Sequence, residues 1–216
     1  KHVPSEQRKD TIVNAIYPEI RDYITANPAG RLSVSLLGEY PLTHDQSKEL
    51  LSLLDRNAYP DDIKHVEKNI RRSEILKPGI IIADWKQKAL DGSMFSLYSI
   101  KADYILLEFW ASDCMPCRQT NPALIKIYDK YHPKGFDIVG ISLDVKKKDW
   151  QKAVEKDKLP WTQVSDLKGW KNKVSAGYEI NSIPFNILLN SKYEIIATNL
   201  HPQALADKLK ELLQNK

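Results

Sequence analysis

The chain reads as an α/β domain built on a partly parallel sheet and preceded by an α-helical region. Three observations predict this class. Residues 1–76 carry apolar side chains at helical intervals, and the pattern breaks at Lys77-Pro78-Gly79. Beyond that point, strand-length apolar runs alternate with helical stretches of about ten residues or more, which is how strands joined by crossover helices are written.

In the first region, TIVNAIYPEIRDYITAN places Ile12, Ile16, Ile20 and Ile24 on one helical stripe that needs a partner surface. LTHDQSKELLSLLD follows with a capping box. Thr43 is expected to cap the first free amides, Gln46 to reach back, and Leu50, Leu51, Leu53 and Leu54 to form the buried side. YPDDIKHVEKNIRRSEIL puts Pro60 and two acids at its start and Arg71-Arg72 near its end, the polarity that suits a helix dipole. His44 and His65 fall on polar helix surfaces and are expected to be solvent-exposed filler.

In the second region, Asp91-Gly92 signals a hairpin between ADWKQKAL and SMFSLYSI. YILLEFW, residues 104–110, is a nearly continuous apolar run and reads as a central strand buried on both faces. MPCRQTNPALIKIYDKYH turns to helical period, with Pro122 expected to kink it. FDIVGISLD is a second buried strand, KKDWQKAVEKDK a helix, WTQVSD a short strand and GWKNKVSAGYEI a further helix. PFNILLN and YEIIATN form a strand pair around Asn190-Ser191, and PQALADKLKELLQ closes the chain as an amphipathic helix. The domains are therefore expected at 1–76 and 77–216.

The net charge of +4 does not mark a nucleic-acid footprint, because lysines and acids are interleaved; even Lys146-Lys147-Lys148 is bracketed by Asp144 and Asp149. No apolar run approaches the roughly 18 residues of a membrane span. No Gly-rich phosphate loop appears, so no nucleotide or flavin cofactor is expected. The chain opens on KHVPSEQRKD without an initiator Met, the look of a trimmed or mature fragment whose targeting segment lies elsewhere.

Both cysteines of the chain stand in EFWASDCMPCRQT. A structural zinc site needs four ligands, and His132 and His201 are not spaced as a second pair, so no metal is expected. A structural disulfide across two residues closes too small a loop to stabilise much. Two unrelated buried thiols remain an alternative. A redox pair fits best, because Cys114 arrives at the N-terminus of a helix, where free amides and the positive dipole end stabilise a thiolate. Cys114 is then the nucleophile, and Cys117, one turn in, the thiol that resolves the mixed disulfide. Met115 and Pro116 lie between them and, with Asp113, are expected to tune the pair; Pro116 lacks an amide hydrogen that the first turn can spare.

Two further residues stand out. Glu108 interrupts the apolar strand before the cysteines, and a buried lone carboxylate is costly. It either reaches the surface at the strand end or is an acid/base of raised pKa that takes the proton from Cys117. Pro184, in NSIPFNILLN at the mouth of a strand, is either a trans proline opening an edge strand or a cis proline in a functional turn.

With EFWASDCMPCR, FDIVGISLD, LPWTQVSDLKGW and YEINSIPFNILLN in place, residues 77–216 resemble the thioredoxin superfamily. More narrowly they resemble its TlpA/ResA-like thiol–disulfide oxidoreductases of bacterial envelopes. The helical region looks like the segment that precedes such domains in Bacteroidetes-type proteins. The resemblance implies a thioredoxin-like fold with a mixed central sheet flanked by helices. It implies thiol–disulfide exchange by Cys114 and Cys117, Glu108 at the buried-acid position and Pro184 in cis. The Ile183 backbone would pair with an extended substrate peptide, and Trp110 would support the site from below. It also implies protein thiol or disulfide substrates, an upstream electron-donor protein and a periplasmic or otherwise extracytoplasmic location.

Asp113 departs from the family pattern, which usually has Trp there. An anion beside Cys114 is expected to disfavour the thiolate and make the dithiol a better reductant. The alternative is a solvated loop acid that also caps the helix. Loss of the Trp also removes an apolar contact surface. Two rival functions belong to other classes. A peroxiredoxin would need its activating residues three and seven before Cys114, where Ala111 and Leu107 stand. A non-catalytic binding module would not need Cys-x-x-Cys, Glu108 and Pro184 together. A dimeric isomerase, joined through 1–76, has no sequence signal for or against it.

Overall fold

The computed structural model describes residues 5–40 and 42–214. They fall into two compact units, one ending at Glu74 and one beginning at Ile75.

The first unit is helical: α1 (Ser5–Ala26), α2 (Arg31–Glu39), α3 (His44–Leu53) and α4 (Pro60–Ile75). Its core gathers Ile20 and Ile24 of α1, Val34 and Leu37 of α2, Leu50, Leu51 and Leu54, and Ile63, Val66 and Ile70 of α4. The spacing of the last three is one face of a helix, which is why a segment so rich in charge still folds. The side chain of Ile12 lies outside the described residues. The capping box forms as expected: the Gln46 amide donates to Thr43 Oγ1 at 3.2 Å and the Thr43 amide to Gln46 Oε1 at 2.9 Å. His65 is exposed. His44 corrects the expectation. Its Nε2 lies 2.8 Å from Glu74 Oε1 and its Nδ1 3.1 Å from Ser73 Oγ, so it ties the start of α3 to the end of α4.

The second unit opens with a short hairpin, β1 (Lys86–Lys88) and β2 (Met94–Ser96), turned at Asp91-Gly92. Gly92 takes φ +94°, and Asp91 Oδ1 accepts from the Ser93 amide at 2.8 Å. The main sheet holds β3 (Tyr104–Trp110), β4 (Phe136–Ser142), β5 (Thr162–Val164), β6 (Phe185–Asn190) and β7 (Ile195–Thr198) in the order β5-β4-β3-β6-β7. β3, β4 and β5 run parallel, whereas β6 and β7 are antiparallel additions. β3 is thus central, and its side chains alternate between two apolar layers. Ile105, Leu107 and Phe109 face one, with Val139, Ile141 and Ile187. Leu106 and Trp110 face the other, with Leu124 and Ile127 of α5 (Met115–Tyr131), Trp150 of α6 (Lys147–Asp157), and Leu205 and Leu209 of α8 (Pro202–Gln214).

GWKNKVSAGYEI is not one helix. It breaks into a 3-10 turn, Gly169–Lys171, and the short α7 (Lys173–Gly177). Asn172 sits between them outside the helical region (φ −54°, ψ 128°), its Oδ1 accepting from the amides of Val174 and Ser175. A side chain that caps its own successors competes with the continuous helix, and here the cap prevails.

Candidate active site

The strand β3 ends at Trp110, and a turn at Ala111-Ser112-Asp113 delivers Cys114 to the N-cap of α5. The Cys117 amide points at the Cys114 sulfur, 3.2 Å away. Such an orphan amide is the group that stabilises a thiolate there. Cys114 and Cys117 are joined as a disulfide. Cys117 is 1% exposed, packed with Leu106, Trp110 and Leu124, whereas Cys114 is half-buried. The cap position is taken by Cys114 itself, so Asp113 stands before the helix as an exposed loop residue. Met115 and Pro116 are exposed in the first turn.

The turn is pinned from two sides. Asp144, just after β4, accepts from the Ser112 amide at 3.0 Å, from the Ser112 hydroxyl and from Ser142 Oγ at 2.7 Å. Arg118 Nη1 donates to the Ser112 carbonyl at 3.0 Å, while its other nitrogens form a two-pronged ion pair with Asp157. Burial alone would raise the Asp157 pKa, but hydrogen bonds from Arg118 and Asn121 hold it below the ordinary carboxylate value. Sequence reading missed these groups, because Asp144 and Asp157 looked like members of interleaved surface charge.

On the substrate side, Cys114 opens into a cleft of about 680 Å³ shared with Asp113, Val145, Lys146, Trp170 and Ile183. Trp170 is 54% exposed and Val145 65%. Trp170 and Val145 thus leave exposed apolar surface on the wall of this cleft. The Ile183–Pro184 peptide is cis and stands at the entry to β6.

Glu108 lines a different cavity from Cys114, one that Pro184 also borders. It is 4% exposed, and its Oε2 is buried without a hydrogen-bond partner. Burial pushes its pKa up from 4.5 to about 8, partly offset by a hydrogen bond from the Asn186 side chain. Asn186 is itself clamped to Leu200: its Nδ2 donates to the Leu200 carbonyl at 2.9 Å and its Oδ1 accepts from the Leu200 amide at 2.8 Å. Glu108, Asn186 and Pro184 line a partly open cavity of about 260 Å³ with Thr120, Leu124 and His201. The carboxyl thus faces water-sized space one turn along α5 from Cys117. Trp110 is buried beneath the pair, with Nε1 donating to Gln163 Oε1 at 3.0 Å. Among the described residues, no group of three or more His, Cys, Asp or Glu side chains is placed to hold a metal ion, and no helix is long and apolar enough to cross a membrane.

Comparison with known proteins agrees with this geometry. Residues 102–195 match a family model described as thioredoxin-like. The sporulation thiol-disulfide oxidoreductase A of Bacillus subtilis is 32% identical over 62% of this chain and 86% of its own. The thioredoxin domain of a thiol-disulfide oxidoreductase from Bacteroides vulgatus superposes with a TM-score of 0.60 at 33% identity, over 64% of this chain and 99% of that one. A thioredoxin-like protein from Bacteroides caccae, 18% identical, shares the fold over 92% of this chain and 77% of its own, with a TM-score of 0.69.

Proposed function

The chain belongs to the thioredoxin-like thiol–disulfide oxidoreductases, and from that premise we propose that it reduces protein disulfides in the bacterial cell envelope, with electrons supplied by an upstream donor protein. The Cys114 thiolate attacks one sulfur of the substrate disulfide, forming a mixed disulfide and expelling the first substrate thiolate. Cys117 gives its proton to Glu108 and attacks Cys114 Sγ. That closes the internal disulfide and releases the second substrate sulfur, so two electrons pass to the substrate. The upstream donor then reopens the Cys114–Cys117 bond.

The observation that carries this reading is the asymmetry of the pair. Cys114 is half-buried on an open cleft with an amide aimed at its sulfur, whereas Cys117 is buried against the face of β3 that also carries Glu108. An extended substrate segment laid in the cleft would run beside the Ile183 backbone, with Trp170 and Val145 offering apolar contact to the residues flanking its cysteine. The exposed Asp113 carboxylate favours the reducing direction, since an anion near Cys114 makes the dithiol state relatively costly.

The test is the reduction potential of the pair, from equilibration in dithiol buffers read out by alkylation. A value near thioredoxin's, about −270 mV, agrees with a reductant. A value near −120 mV would mean an oxidant that introduces disulfides, and the proposed direction would be abandoned.

A further inference from the structure

On the face of the sheet beneath α5, a transverse row of polar residues crosses the apolar layer of Leu106, Trp110, Ile138 and Leu188. Strand register sets Asn186 of β6 beside Glu108 of β3, Glu108 beside Gly140 of β4, and Gly140 beside Gln163 of β5. Strand alternation puts Glu108 on the same face as Leu106 and Trp110, and its row neighbours with it. The three polar members are all buried: Asn186 at 7%, Glu108 and Gln163 at 4%.

Gln163 reaches over the glycine. A Cβ at position 140 would stand 2.7 Å from both Cδ and Nε2 of Gln163, and closer still to Oε1. The amide therefore occupies the space that a side chain on β4 would fill, and this places it towards β3. Trp110, two residues along β3 from Glu108, donates to Gln163 Oε1 and so fixes which end of the amide is oxygen. The other end, Nε2, is buried with no partner, and so is Glu108 Oε2. One row thus holds an idle donor and an idle acceptor with only a glycine between their strands. Unmatched groups of this kind are rare in buried positions and call for a reason.

We propose that Gln163 is a positioning residue for the exchange reaction: its Nε2 is the donor held ready for the ionised Glu108 carboxylate. It closes on that carboxylate, directly or through one water of the adjoining cavity, in the dithiol state. The inference rests on the reading that Glu108 accepts the Cys117 proton. Before resolution Glu108 is a carboxylate and Cys117 a thiol; after it, Glu108 is a neutral acid and the Cys117 sulfur has entered the disulfide. The structure holds the disulfide, the state in which the neutral acid no longer needs the donor and Nε2 is free of it. Around Glu108, α5 presents Thr120 and Leu124, the turn before β6 presents Pro184, and β6 presents Asn186. His201 is the other titratable side chain on the same cavity wall.

The experiment follows Cys117 attack directly. Reduced protein is mixed with an aromatic disulfide that releases a coloured thiol, and the second release, which reports resolution, is timed from pH 5 to 9. In the wild type its rate rises with the ionisation of Glu108. Gln163→Leu, close in size but without the donor, is expected to move the midpoint up by about one pH unit, a tenfold slower second release at neutral pH. Gly140→Ala keeps residue 163 but pushes its amide aside, and the same upward shift is expected. If either folded variant keeps the wild-type midpoint, the assignment of Gln163 is overturned. Glu108→Gln separates the two readings, and also separates Glu108 from His201. A midpoint that survives in Glu108→Gln overturns the role of Glu108 itself. One that vanishes there, yet stays unmoved in Gln163→Leu and Gly140→Ala, overturns Gln163 alone.

Discussion

Replacing Glu108 by glutamine should stabilise the second unit, and the gain should grow with pH. In the folded protein, burial lifts this carboxyl from 4.5 to about 8, whereas in the unfolded chain it titrates near the ordinary value. Between those limits the native state holds a proton that the unfolded state gives up, so wild-type stability falls as pH rises. Each pH unit crossed costs about 1.4 kcal/mol. From pH 4.5 the loss reaches about 3 kcal/mol at pH 7, and on the order of 5 kcal/mol once the folded group has ionised as well. Any water admitted to the adjoining cavity would reduce both figures. Glutamine keeps the shape and carries no titrating proton, so the variant escapes this slope while all other groups cancel in the difference. The assay is urea unfolding of the oxidised proteins from pH 5 to 9, followed by tryptophan fluorescence. The five tryptophans all lie between positions 85 and 170, so the signal reports the second unit alone. The two proteins should be nearly equal at pH 5 and differ by several kcal/mol at pH 8. A difference that stays constant over that range would refute the reasoning, because it would mean that the carboxyl titrates as it does in water.

Three other outcomes are expected. Asp113→Asn removes an exposed charge worth about 1 kcal/mol at contact distance in water, so the reduction potential should rise by about 20 mV when measured against dithiol buffers. Arg118→Met should cost about 2 kcal/mol at neutral pH by leaving Asp157 without its charged partner. Since Asp157 is held below the ordinary carboxylate value, that contribution is present at neutral pH and lost as pH falls through its depressed pKa, and the wild-type and variant urea curves should converge in acid. Thr43→Ala should cost the first turn of α3 about 1 kcal/mol, seen as roughly fivefold faster hydrogen exchange at the Gln46 amide.

What could be read from the sequence was what local grammar writes. YILLEFW declared a central strand because a strand buried on both faces has no polar side to show, and Glu108 stood out because it broke that run. The capping box at Thr43 and Gln46 is likewise a contact over three residues. What stayed hidden depends on partners far along the chain. His44 looked like surface until Ser73 and Glu74 came to meet it. Gln163 in WTQVSD looked like an ordinary alternating polar residue. Its meaning lies in the register that sets Gly140 between it and Glu108, and in an indole 53 positions away. The break at Asn172 escaped because a helical period says nothing of which side chain will take the amides first.

If Cys114 attacks and Glu108 takes the proton as proposed, the Ile183–Pro184 pair keeps the two steps apart. Ile183 lines the cleft into which Cys114 opens, and Pro184, the next residue, lines the cavity of Glu108. Consecutive residues thus line two different cavities, one holding Cys114 and one holding Glu108. A substrate segment seated beside Ile183, as proposed, would cover the first and leave the second open. On the proposed mechanism, when Cys117 must lose its proton in the mixed disulfide, Glu108 would still face its own partly open cavity beside Thr120 and His201. A carboxyl sealed beneath the bound substrate would have no such outlet. On the proposed mechanism, the cost of burying Glu108 is then tied to one arrangement: an acid on the central strand, on the wall of a cavity apart from the substrate cleft and beneath the helix that carries the thiol it serves.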